Sequence, residues 1–118
     1  MITFNNISFS YSNKEIFNSA SLEINKGEFV FLVGESGIGK TTFLKLIYFE
    51  SKPKSGSVIF DEYNSDNIDK SEIPFLRRKI GIVFQDFKLL NDRNIFENIA
   101  IPLYISGEKK ELIKEKVF

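Results

Sequence analysis

The sequence contains no cysteine, no histidine and no tryptophan. Without cysteine there is no disulfide framework and no thiol nucleophile. Without histidine there is no Ser-His-Asp triad, and the usual zinc ligand sets cannot be assembled. Carboxylate metal sites survive this exclusion, as does a metal carried by a bound nucleotide. An excess of charge is also missing, because 16 basic side chains face 16 acidic ones. The chain therefore lacks the cationic surplus with which nucleic-acid and anionic-membrane binders neutralise phosphates. No apolar run approaches the roughly 18 residues that a membrane span needs. The start, Met1-Ile2-Thr3-Phe4-Asn5-Asn6, lacks the cationic and apolar regions of a signal peptide. The expectation is a soluble cytoplasmic protein.

What is present is globular in character: 118 residues, 42% of them hydrophobic, with 13 phenylalanines. That length suits one domain or a piece of a larger one. Ile2, Phe4, Ile7 and Phe9 alternate with polar residues and predict an N-terminal strand pair. Leu22 and Ile24 predict a further half-buried strand before the Lys26-Gly27 turn. Phe29 to Val33 is apolar without a break, the pattern of a strand covered on both faces. Thr42 to Phe49 has a helical composition that is apolar nearly all round, apart from Lys45.

Further along, Val58 to Phe60 predicts a short strand and Ile80 to Phe84 another. Ser71 is placed to cap a short helix running through Pro74 to Lys79. Asn94 and Glu97 form a capping-box pattern opening a helix that Pro102 should kink or end. Glu108 to Phe118 reads as a partly amphipathic helix.

The segment that carries chemistry is Gly34-Glu35-Ser36-Gly37-Ile38-Gly39-Lys40-Thr41-Thr42. It satisfies G-x-x-x-x-G-K-[ST] at every fixed position, between an apolar strand pattern and an apolar helix pattern. Its three glycines let the backbone approach phosphate oxygens, so that the amides of Gly37 to Thr42 line a concave anion site. A helix N-terminus contributes only about 0.3–1 kcal/mol towards an exposed anion. Holding a triphosphate therefore needs the full charge of Lys40 at the β- and γ-phosphates, with the Thr41 hydroxyl as a ligand to Mg²⁺. An Asn-Lys-x-Asp element for guanine is missing after the loop. The only Asn-Lys pair, Asn13-Lys14, precedes it and leads into Glu15-Ile16. Adenine is favoured by elimination.

With this loop, Phe9-Ser10-Tyr11 upstream and Ile82-Val83-Phe84-Gln85 downstream, the sequence resembles the ATP-binding subunits of ABC transporters over essentially its whole length. The run Pro74 to Leu90, and Asp92-Arg93 followed by Phe96-Glu97-Asn98-Ile99-Ala100, resemble the members of that family acting in cell division. The resemblance implies an α/β P-loop NTPase of ABC ATPase type. Residues 1–28 would be an antiparallel β region and 29–90 a P-loop core with a mixed or parallel sheet. Residues 91–118 would open a helical subdomain left incomplete at its C-terminus. It also implies that Tyr11 stacks on adenine and that Gln85 is the Q-loop glutamine, a ligand to Mg²⁺ or an orienter of water. Nucleotide contacts would come from Tyr11, Gly34, Glu35, Ser36, Gly37, Ile38, Gly39, Lys40, Thr41, Thr42 and Gln85, with Lys40 and Gln85 catalytic and Thr41 and Gln85 on the metal.

The family's Leu-Ser-Gly-Gly-Gln signature, its Asp-Glu strand after that signature, and its switch histidine are not identifiable. Asp61-Glu62 imitates the Asp-Glu strand, but it precedes Gln85, and Ser55-Gly56-Ser57-Val58 resembles instead the family's early Ser-Gly-x-Ile/Val strand, where Asp61 precedes a turn. Arg77, Arg78 and Lys79 suit a helix C-terminus better than a nucleic-acid footprint. The expectation is a chain that does not hydrolyse ATP by itself, with ATPase activity belonging to the complete protein. That protein would work as a homodimer, bound at the inner face of the membrane through an integral membrane partner. Rival readings are an ATPase subunit for lipoprotein export or solute import, a non-catalytic nucleotide-binding module, and a small-molecule phosphotransferase.

Overall fold

In the computed structural model, which describes residues 1–118, the N-terminal apolar pattern forms one long strand rather than a strand pair. β1 (Ile2–Tyr11) pairs antiparallel with β2 (Lys14–Ile24) on one side and with β3 (Ser55–Phe60) on the other. Strict alternation from Phe4 would bring Asn6 and Ser8 to the inner face. A register shift between Phe4 and Ile7, with Asn6 at φ 46°, restores Ile7 and Phe9 to the face of Phe4. All three are buried. Gly56 crosses this bulge so closely that a Cβ there would lie 2.3 Å from the carbonyl oxygens of Asn5 and Asn6.

A fourth strand, β4 (Tyr63–Asn64), completes the order β2-β1-β3-β4. Asp61 and Glu62 form the two-residue turn between β3 and β4, because Phe60 pairs with Tyr63. Asp61 thus lies within the turn rather than ahead of it.

One face of the sheet is covered by α1 (Lys40–Ile47). Phe43, Leu46 and Ile47 pack on Phe4, Ile7, Phe9 and Val58, and the Phe4 and Phe43 rings stack with centroids 4.6 Å apart. Leu44 lies on the outer side of the helix and is exposed, so the helix is amphipathic rather than buried all round. Its last carbonyls are held from α2 (Ile73–Arg78). Arg77 Nε donates to the Tyr48 carbonyl at 3.0 Å and its Nη2 donates to that of Phe49 at 3.3 Å. The basic run thus serves a helix C-terminus as expected, and it serves that of α1 as well as its own.

Ser71 does not cap α2. Its amide and hydroxyl both donate to Asp69 Oδ1 at 2.9 Å, while Glu72 accepts the Asp69 amide. The ionised carboxylate is the stronger acceptor and holds Ser71 in the turn ahead of α2, whose N-terminus has no side-chain cap.

Phe29–Val33 and Ile80–Phe84 depart from expectation: neither joins a ladder. Phe29, Phe31 and Val33 are 84%, 79% and 84% exposed, and Val83 is 95% exposed. A strand buried on both faces needs hydrogen-bonding neighbours and two covering layers. The four strands present form the antiparallel sheet, and the parallel core sheet around Phe29–Val33 is not formed among them.

Residues Met1–Ile80 form one compact unit and Gly81–Phe118 a second. In the second, α3 (Ile95–Ile105) and α4 (Lys110–Val117) pack together, with Ala100 and Ile113 fully buried. The capping box forms in full: Asn94 accepts the Glu97 amide at 2.8 Å and Glu97 accepts that of Asn94 at 3.0 Å. Pro102 does not end α3, which runs on to Ile105, and the Ser106 amide donates to the Pro102 carbonyl at 3.0 Å. No helix is long and apolar enough to cross a membrane.

Candidate functional site

The loop from Gly34 to Gly39 delivers the chain into α1, whose first backbone bond runs from the Phe43 amide to the Gly39 carbonyl at 2.8 Å. The amides of Lys40, Thr41 and Thr42 thus lie ahead of the helical ladder, free to meet an anion. The Lys40 ammonium folds back over the loop, 2.6 Å from the Gly34 carbonyl and 2.7 Å from that of Glu35. The Glu35 carbonyl also accepts the Ile38 amide at 3.3 Å. A cation held by loop carbonyls beside unpaired helix amides fits the chemistry of a polyphosphate.

Gly39 adopts φ 121°, and a Cβ there would come within 2.4 Å of Ile16 Cγ2. β2 therefore presses directly on the loop, and only glycine satisfies both constraints. Glu35, Ser36, Gly37 and Ile38 are exposed at the loop surface. The two threonines divide in environment. Thr41 is exposed, whereas Thr42 is buried and its hydroxyl donates to the Tyr11 hydroxyl at 3.3 Å.

The structure brings together Tyr11 and the loop's helix. Tyr11 is 48% exposed and stands edge-on to Phe9 at 4.9 Å. Sequence reasoning missed Lys14, whose ammonium donates to the Gly37 carbonyl at 3.2 Å. The signal was available: Tyr11 and Lys14 pair across the two-residue turn Ser12–Asn13. Any fold that sets Tyr11 at the site sets Lys14 beside it.

Gln85 lies in the second unit, exposed, at the head of the turn 85–88. Lys88 pairs with Asp86 within that turn and holds the Asp86 carboxyl below its ordinary range. The imitation of an Asp-Glu strand has other partners: Asp61 lies 2.7 Å from the Met1 ammonium and Glu62 pairs with Lys79. No group of three or more acidic side chains is placed to hold a metal. A divalent ion at the loop would therefore have to arrive with the phosphates, and exposed Thr41 offers it a hydroxyl.

A glycine-rich loop that fits G-x-x-x-x-G-K-[ST] and opens a helix is the P-loop pattern. The chain belongs to the ABC transporter family, whose pattern matches residues 17–117. It is 46% identical over 118 residues to the cell division ATP-binding protein FtsE of Bacillus subtilis, covering 99% of this chain and 52% of that protein. It is 40% identical over 121 residues to the methionine import ATP-binding protein MetN of Haemophilus influenzae, with 99% of this chain and 35% of that one covered.

Among solved structures, the dimeric post-hydrolysis state of the ATP-binding cassette MJ0796, bound to ADP and Pi, superposes with a TM-score of 0.86 at 30% identity. The match covers 99% of this chain and 54% of that one. The chain spans about half the length of the curated FtsE relatives it matches.

Proposed function

We propose that this chain forms the nucleotide-holding part of an FtsE-like ATP-binding subunit that acts in cell division. The observation that carries the reading is the Lys40 ammonium, held at 2.6 and 2.7 Å by two loop carbonyls at the N-terminus of α1. In this reading Lys40 meets the β- and γ-phosphates of ATP, and the amides from Gly37 to Thr42 take the phosphate oxygens. Glu35 and Ser36 line the outer loop, Tyr11 offers a ring face to adenine, and Thr41 offers its hydroxyl to Mg²⁺. The ion, when bound, neutralises charge between the terminal phosphates. The Q-loop role of Gln85, as a Mg²⁺ ligand or a water-orienting amide, belongs to the same proposal, as do a P-loop core over 29–90 and a helical subdomain opening at 91–118.

The 46% identity to FtsE supports the cell-division assignment. With it come a homodimer of the complete subunit, an FtsX-like integral membrane partner, and peripheral attachment to the inner face of the membrane. Control of septal peptidoglycan hydrolysis is the output of that assembly. No signature, no Asp-Glu strand after Gln85 and no histidine occur in these residues. They are accordingly assigned binding of ATP without turnover. The likeness to MetN favours a second reading, an importer's ATP-binding subunit, with the same loop chemistry and a different membrane partner.

The test is titration with Mg·ATP. The unsubstituted chain should bind, and Lys40→Ala should weaken binding by at least about tenfold, the loss of hydrogen bonds to a charged group. Binding indifferent to Lys40 would overturn the reading. Co-purification from membranes then separates the two partners.

A further inference from the structure

Asn13-Lys14 does not form an Asn-Lys-x-Asp element, yet Lys14 is where the β1–β2 turn reaches the glycine-rich loop. We propose that Lys14 is a positioning residue for that loop: by holding the Gly37 carbonyl it sets the Gly37–Ile38 peptide plane and, through the Glu35 carbonyl, the place of Lys40. The inference rests on the nucleotide-binding reading above and adds to it a residue that the loop pattern does not contain.

The connection is continuous. Lys14 Nζ donates to Gly37 O at 3.2 Å, and the Ile38 amide of that same peptide donates to Glu35 O at 3.3 Å. Glu35 O in turn accepts the Lys40 ammonium at 2.7 Å. In a trans peptide the carbonyl and the amide point in opposite directions, so drawing the Gly37 oxygen outward turns the Ile38 amide inward. A cation on the carbonyl also polarises the peptide and makes its amide a better donor, the cooperativity found along hydrogen-bonded chains.

Locally the plane is held only by the Ile38 amide's bond to Glu35 O at 3.3 Å. Gly37 sits at φ 79°, where a Cβ would meet nothing within 4 Å. A glycine in open space turns its neighbouring peptide at little cost. A flipped plane would aim a carbonyl oxygen at the phosphates and remove one of the two donors on Glu35 O. The turn carrying Lys14 is itself anchored at two points, by Thr42 on Tyr11 and by Ile16 against Gly39. The residue that holds the loop is therefore paired directly across the turn from the residue assigned to adenine.

Lys14 is exposed, so its replacement removes no packing. The experiment compares Lys14→Met and Lys14→Arg in the full chain, by amide NMR without nucleotide and by titration with Mg·ATP and with adenosine. In Lys14→Met the Ile38 amide should shift towards a weaker hydrogen bond. Mg·ATP affinity should fall by roughly two- to tenfold, one hydrogen bond's net worth, with adenosine affinity unchanged. Lys14→Arg, which keeps a long cationic donor, should restore both. An Ile38 amide unmoved in Lys14→Met overturns the proposal, and so does an unchanged Mg·ATP affinity in a chain that binds it. Should the unsubstituted chain bind no Mg·ATP, the functional reading fails, while the nucleotide-free amide still decides the role of Lys14.

Discussion

Thr42 donates its hydroxyl to that of Tyr11 across 3.3 Å, joining the end of β1 to the first turn of the phosphate-loop helix. The bond fixes the tyrosine at its polar tip and Phe9 fixes it at its edge, 4.9 Å away, while about half of its surface stays open. A ring held in this way is ready to stack without further loss of rotamer freedom. Tyr11→Ala should weaken ATP binding by roughly 1–3 kcal/mol, the worth of a base on an aromatic face. Tyr11→Phe keeps the face and should cost much less. Inorganic tripolyphosphate, which has no base, should bind both variants as it binds the unsubstituted chain. Equal ATP affinity in Tyr11→Ala would reduce Tyr11 to a structural residue.

Ile16 and Gly39 offer a second test, because two constraints meet at one atom. Alanine at position 39 carries the strain of φ 121°, about 1–3 kcal/mol, and adds a Cβ 2.4 Å from Ile16 Cγ2. Gly39→Ala should lower the unfolding midpoint and abolish Mg·ATP binding together. Adding Ile16→Ala removes the clash but not the strain. The double variant should therefore recover part of both losses, a coupling that a double-mutant cycle measures directly. Strict additivity would mean that β2 does not press on the loop.

The start of α1 after a glycine-rich loop was legible in the sequence because its signals are local: fixed glycines and one lysine. So was the Asn94–Glu97 box, whose partners lie within a single turn. The expected strand Phe29–Val33 joins no ladder, because its sequence states only a demand for neighbours. Its rings at positions 29 and 31 meet each other edge to face at 5.0 Å and remain exposed, because pairing depends on residues far away in sequence. The bulge after Phe4 was hidden for another reason. The spacing from Phe4 to Ile7 breaks a period of two, and sequence alone cannot tell a bulge from the end of a strand. Lys14, and the reach of Arg77 beyond its own helix, stayed out of sight because each acts on a carbonyl of a distant element, and carbonyls leave no mark on the sequence.

Asn98 makes four hydrogen bonds to the segment ahead of α3. Its Nδ2 donates to the carbonyls of Leu90, Arg93 and Asn94 at 3.1, 3.2 and 3.0 Å, and its Oδ1 accepts the Leu90 amide at 2.8 Å. Asn98→Ala should destabilise this unit by about 0.5–1.5 kcal/mol, the net worth of an intramolecular hydrogen bond whose freed groups can turn to water. Asn98→Asp keeps the acceptor but turns a carboxylate towards three carbonyls, and should be worse. Hydrogen exchange at Leu90, where the amide is bonded directly, should rise sharply in both variants while exchange at Ile113 rises little. Unchanged protection at Leu90 would show that the segment is held by something else.

Acid should unfold the first unit through identifiable carboxylates. Lys45, 3.1 Å from Glu50, holds the Glu50 carboxyl below its ordinary value, with a smaller contribution from Tyr48. The Ser71 amide does the same for Asp69, aided by the Ser71 hydroxyl, and Lys79 does so for Glu62. In each case the folded state binds a proton less tightly than the unfolded chain. Their stabilisation is therefore present above the ordinary carboxylate range, roughly pH 4, and is lost as pH falls through the lower folded values. At the other end Glu50 raises the Lys45 ammonium, so that contribution is present below the ordinary lysine value and lost as pH rises past the folded one. Urea midpoints should accordingly be flat near neutrality and decline on the acid side below about pH 4. Asp69→Asn removes one titrating group and should make the acid decline shallower, at the cost of a lower plateau near neutrality. An acid limb identical in slope to that of the unsubstituted chain would mean that the turn at Asp69 is not formed in solution.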